Sequence, residues 1–142
     1  MLVLTNLERR ILYLSQPYCG SVHDYAMMKS EFDPDEGFWF DEMGIYVDLG
    51  FLGIHNDYQP DRLFIPYKRP RRKSKNDPII KLNDQQKTYN KQVSKIRIRV
   101  EHAIGGLKRY RFLSDRLRAR DAQFYSMIAG IAAGLWNFNL TL

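Results

Sequence analysis

From Tyr89 to Leu107 an apolar residue recurs every three or four positions: Tyr89, Val93, Ile96, Val100, Ile104 and Leu107 step by 4, 3, 4, 4 and 3. Only an α-helix gathers such a series onto one face. About five turns of it make a long one-sided rod whose stripe needs a second layer to cover it. Asn83 is the expected N-cap and Gly105-Gly106 the expected end, which gives a helix over 83–106. Its polar side is cationic. "KIRIRVEHAIGGLKRYR", residues 95–111, sets six lysines and arginines around a single carboxylate, Glu101.

The other elements follow from period and punctuation. "MLVLTN" and "RRILYLS" are short apolar runs joined by a turn, and predict an antiparallel hairpin within 1–15. Ser21, with Asp24 three residues later, fits a capping box and predicts a helix over 21–32. "GIYVD" and "RLFIP" predict strands over 44–48 and 62–66, with Gly50 and Gly53 between them. A basic loop over 67–78 comes next. A last helix is expected over 121–138, with Asp121 near its start. The sequence predicts a mixed α/β layer domain, and at this length roughly 68–70% of the unfolded surface can be buried.

Charge is distributed unevenly. Residues 1–61 hold 3 Lys/Arg against 11 Asp/Glu, and residues 62–142 hold 19 against 5. A C-terminal half this basic expects a polyanion, with nucleic acid ahead of a membrane surface. "YKRPRRKSK" carries six cations in nine residues and "LKRYRFLSDRLRAR" six more. Lys68, Arg69, Arg71, Arg72, Lys73, Lys108, Arg109 and Arg111 are the expected phosphate contacts. Tyr110 and Phe112 among them serve either core packing or base stacking. The five carboxylates of "DPDEGFWFDE" lack calcium-loop spacing and read as a solvated acidic surface. Residues 122–142 carry no charge, and Gly130 and Gly134 stand at small-xxx-small spacing. Their polar residues favour a buried core helix over a membrane span. Cys19 is the one cysteine, which fits a reducing compartment.

Two carboxylates stand out, each with two readings. Asp48 lies where a strand gives way to a glycine-rich turn. It is either a turn former accepting from the Leu49 or Gly50 N–H, or an active-site group leaving the sheet where the backbone opens. Glu101 is either the partner of Arg97 one turn earlier, or a second active-site carboxylate supported by the surrounding positive charge. Two carboxylates drawn together would repel, and a hard divalent cation resolves that. His23-Asp24 reads as structural. His102 reads as facing solvent or DNA, and His55 lies in a polar loop.

Three stretches, "GSVHDY", "VDLGFLGI" and "KIRIRVEHAIGGLKRYRFL", resemble in order and spacing the DDE-superfamily transposases of bacterial insertion sequences. The similarity extends to "FIPYKRPRRK", "LNDQQKTYNK" and "IAAGLWNFNL", nearly the whole chain. The matching branch carries its second acid in an Asp-x-Gly-aromatic-x-Gly segment and its third in an Arg-x-Arg-Val-Glu-His helix. By position, the resemblance makes Asp48 the second and Glu101 the third metal-binding catalytic carboxylate. Two Mg²⁺ or Mn²⁺ ions are implied in the complete site, with Arg97 and Arg99 contacting DNA or orienting the glutamate helix. The implied architecture is an incomplete RNase H-like fold lacking its first strand, its helices packed on a mixed sheet.

There are departures from the family pattern. Phe51 replaces a common tyrosine. The first catalytic aspartate is expected upstream of this sequence, and Glu8, in the hairpin turn, cannot substitute for it. The resemblance implies part of a transposase catalytic domain, acting with an upstream segment or other transposase subunits on transposon ends and target DNA. The part is expected to be inactive alone, to self-associate along an unpaired sheet edge, and to be cytoplasmic and nucleoid-associated. Two alternatives share the features: a non-catalytic DNA-binding or assembly-inhibiting relative, and a nuclease completed by another subunit.

Overall fold

The computed structural model describes residues 1–37, 39–70, 72, 74–75, 80–114 and 121–142. Their order is mixed α/β: β1 (Val3–Thr5), β2 (Ile11–Leu14), α1 (Asp24–Glu31), β3 (Gly44–Tyr46), a 3₁₀ turn (Leu49–Phe51), α2 (Ile54–Asp57), β4 (Arg62–Phe64), α3 (Asp84–Lys108), α4 (Arg111–Ser114) and α5 (Ala122–Asn139). The chain divides into two compact units, residues 1–37 with 98–142 and residues 38–97. Helix α3 gives its first part to the second unit and its last part to the first.

In the unit of residues 1–37 and 98–142, β1 and β2 form an antiparallel hairpin whose register slips between Leu4 and Thr5. The Asn6 side chain organises the turn, its Oδ1 accepting from the Glu8 N–H at 3.0 Å and the Arg10 N–H at 2.9 Å. Asn137 of α5 clasps β2, accepting from the Ile11 N–H at 2.8 Å and donating to its carbonyl at 2.9 Å. The core joins Ile11 to Ala103 and Leu107 of α3 and to Ala132 and Ala133 of α5.

Helix α1 starts later than its sequence pattern suggests. Its N-cap is His23, whose Nδ1 accepts from the Tyr25 N–H, and not Ser21. The Val22 N–H bonds back to the Cys19 carbonyl at 3.0 Å, closing a turn around Ser21. Asp24 sits in the first turn of the helix, where a carboxylate suits the positive helix end. Helix α3, by contrast, runs past Gly105-Gly106 to Lys108. At Gly106 an added Cβ would lie 2.1 Å from Cε3 of Trp136, so this glycine permits close packing and does not stop the helix. The charge-free C-terminal helix is not wholly buried either. Its small residues Ala129, Ala132 and Ala133 face the core, while Phe124, Met127, Ile131, Leu135 and Phe138 are exposed. Small side chains bring helix backbones close, and that selects which face packs.

Glu31, at the end of α1, accepts from two tyrosines, Tyr13 through Oε2 and Tyr18 through Oε1, the latter at 2.6 Å. Burial, reinforced by this carboxylate, pushes the Tyr13 hydroxyl from its ordinary 10 up to about 12. A raised folded-state value stabilises the fold fully below the unfolded value and stops doing so as pH climbs through the folded one. Unfolding free energy, followed by urea titration, should therefore fall between pH 10 and about 12. Tyr13→Phe should flatten that decline.

In the unit of residues 38–97, β3 and β4 pair in parallel, Gly44 with Arg62 through Tyr46 with Phe64. Among the described residues the strands therefore form two separate two-stranded sheets, one antiparallel and one parallel, and not one mixed sheet. The strands are only three or four residues long, and the 3₁₀ turn after Asp48 follows β3 closely. Tyr46 and Phe64 stack across this pair at 4.3 Å. Ile54, Tyr58 and Val93 are buried. Asn90 of α3 accepts from the Tyr67 N–H at 2.8 Å and donates to its carbonyl at 3.0 Å, tying the start of the basic loop to the helix. Asn83 caps α3: its Oδ1 accepts from the Gln86 N–H at 2.7 Å, and Gln86 Oε1 accepts from the Asn83 N–H at 3.1 Å.

Candidate carboxylate and cation site

Asp48 follows β3 and opens the 3₁₀ turn. Its Oδ1 accepts from the Leu49 N–H at 2.6 Å, the turn-forming geometry its sequence context allows. The glycine that ends the Asp48–Gly53 segment has a conformational reason. Gly53 has φ 101° at the start of α2, a left-handed backbone that side chains disfavour. The Asp48 carboxylate is thus fixed from its own turn, and half of its surface remains exposed.

Its other oxygen meets α3. Arg97 Nη2 donates to Asp48 Oδ2 at 2.6 Å. An ion pair this exposed contributes no more than about 1 kcal/mol to stability. Its main consequence is geometric: a planar, charged donor fixes the rotation of the carboxylate. Each oxygen keeps a lone-pair direction beyond its single donor, so the group retains hard-oxygen ligand character. Sequence reasoning offered Arg97 a partner one turn away. It gave no signal for Asp48, 49 positions distant.

Glu101 comes four residues after Arg97 on α3, within the other unit, and is exposed, as is His102. Arg99 donates from Nη1 to the Leu7 carbonyl of the hairpin turn, so this candidate DNA contact also tethers β1–β2 to α3. Lys108, Arg109 and Arg111 are exposed at the end of α3 and the start of α4. Lys68, Arg69 and Arg72 are exposed in the basic loop, with Arg72 donating to the Lys75 carbonyl at 3.4 Å. Arg71 and Lys73 lie outside the described residues. Arg9 and Arg10 form a further exposed basic pair, in the tight turn of the β1–β2 hairpin.

Among the described residues, no group of three or more His, Cys, Asp or Glu side chains could hold a metal ion. No helix among them is long and apolar enough to cross a membrane.

Within the unit of residues 38–97, a strand-end carboxylate is thus fixed against an arginine of α3. The family profile described as DDE superfamily endonuclease matches residues 1–137, and the chain belongs to that family. It is also 31% identical over 124 residues to a probable transposase for insertion sequence element IS702 from Microchaete diplosiphon. That alignment covers 87% of this chain and 40% of the transposase, so the chain spans well under half the length of the curated relative it matches. No solved structure matches the chain significantly.

Proposed function

We propose that these residues form the carboxylate-bearing part of a transposase catalytic domain of RNase H-like architecture, which in the complete enzyme cleaves DNA and transfers strands with divalent metal ions. One observation carries the reading: the family match runs through both the Asp48 segment and the Glu101 helix. Asp48 and Glu101 are the residues that would hold Mg²⁺ or Mn²⁺. The half-exposed oxygens of Asp48 fit a hard cation in kind. When bound, two such ions activate the attacking oxygen and stabilise the leaving oxygen of a phosphodiester.

The chain's own side chains do the rest. Arg97 orients the Asp48 carboxylate and offsets its charge. The cations of the basic loop and of the α3–α4 segment hold the DNA backbone without reading its sequence. Transposon ends and target DNA are the substrates, in a bacterial cytoplasm. Two carboxylates are one short of the three that the family's chemistry uses. We infer that cleavage needs a third carboxylate beside Asp48 and Glu101, supplied by a further transposase segment or subunit.

Binding of duplex DNA should be strongly salt-dependent. With about six phosphate contacts, affinity should fall roughly 10³-fold between about 50 and 200 mM salt. Replacing Lys68, Arg69 and Arg72 together by alanine should make the log–log slope shallower by roughly 2–3. A flat salt response would contradict the reading.

A further inference from the structure

The unit of residues 1–37 and 98–142 holds a cleft of about 610 Å³ in which neither Asp48 nor Glu101 takes part. Arg9 and Arg10 of the β1–β2 turn line it together with Arg99 and His102 of α3, and Glu8 is the one carboxylate among its lining residues. We propose that this cleft is a preformed seat for a DNA backbone phosphate. The proposal rests on the DNA-binding reading above and adds a site that the two carboxylates do not define.

The turn that presents the arginines is fixed from three directions. Asn6 accepts from the Glu8 and Arg10 N–H groups within the turn. Trp136 Nε1 of α5 donates to the Arg9 carbonyl at 2.8 Å. Arg99 of α3 donates to the Leu7 carbonyl. A backbone held this way gives up little further freedom when a ligand arrives, which is the condition for a preorganised site. The anchors use backbone groups of the turn, so the Arg9 and Arg10 side chains are not what ties the turn down. Arg99 spends one donor of its five on Leu7. Planar guanidinium groups suit phosphate oxygens, which they can grip in pairs.

Arg9 supplies the second argument. Its φ is 69°, in the left-handed region where glycine or asparagine is the inexpensive choice. A bulky cation held there, beside a cleft lined by other cations, is strain kept at a place where the side chain is used. If Arg9 were only solvated surface, glycine would serve the turn better and nothing would be lost.

The test uses the purified 142-residue chain and a fluorescein-labelled DNA duplex, with anisotropy followed across a salt series. Arg9→Gly fits the backbone conformation, so its thermal midpoint should equal or exceed that of the parent. Its DNA affinity should nevertheless fall several-fold, with a salt slope shallower by about 1. Arg9→Gly with Arg10→Ala should make the slope shallower by about 2, and Arg10→Lys should preserve it. A parent that binds steeply, with both alanine and glycine variants unchanged in affinity and slope, overturns the cleft while leaving the basic loop as the DNA contact. A parent without salt-dependent DNA binding overturns the cleft and the proposed function together.

Discussion

Substituting alanine at the neighbouring glycines Gly105 and Gly106 should move stability in opposite directions. In a helix interior alanine normally gains about 0.5–1 kcal/mol over glycine, because the unfolded chain loses freedom. Gly105 meets that condition: nothing lies within 4 Å of an added Cβ, so Gly105→Ala should stabilise by about that amount. At Gly106 the same methyl would stand 2.1, 2.3 and 2.7 Å from ring atoms of Trp136. The indole cannot swing aside freely, because it packs on the core and its Nε1 holds the Arg9 carbonyl. Overpacking costs about 1–3 kcal/mol, and losing the Trp136 hydrogen bond adds about 1 kcal/mol. Gly106→Ala should therefore destabilise by roughly 1–3.5 kcal/mol after the propensity gain is deducted. Urea unfolding of the two variants checks this, and equal shifts in the two would contradict the packing described.

The Gly105-Gly106 pair also shows where sequence reading stopped. As a dipeptide it looks like a helix terminus. What retains the second glycine is Trp136, on a different helix, and no local pattern carries that information. The apolar stripe from Tyr89 to Leu107 was legible because burial on one face imposes its period on the sequence: Val93 and Leu107 are buried and the other four half-buried. The Ser21–Asp24 pattern misled because a turn from Cys19 to Val22 consumes the backbone that the cap needs. In α5, composition announced an apolar helix but not that alanines would face inward and Phe124, Met127, Ile131, Leu135 and Phe138 outward. For the candidate site, the strand end and glycine turn around Asp48 were readable because both are local. Its pairing with Arg97 was not, since tertiary folding alone joins those positions.

Under the proposed function Asp48 and Glu101 are each divalent-ion ligands, and the consequence is large. Replacing either with its amide keeps the shape and removes the charge that a hard cation requires. Each of Asp48→Asn and Glu101→Gln should weaken Mn²⁺ binding by at least about 100-fold, since even outer partners of metal ligands are worth 10–100-fold. Arg97 should not substitute for either, because it brings a cation and no ligand oxygen.

The most direct measurement is iron-directed backbone cleavage. Ferrous ion in place of Mg²⁺, with ascorbate and peroxide, generates radicals that cut the chain beside the residues holding it. Two cuts are expected, one next to Asp48 and one next to Glu101, each lost when its own carboxylate becomes the amide. Cuts confined to the acidic segment around Asp33–Glu42, or cuts at Asp48 and Glu101 that persist in their amide variants, would contradict the proposed function. The chain would then be a DNA-binding relative of transposases that does not itself hold the metal.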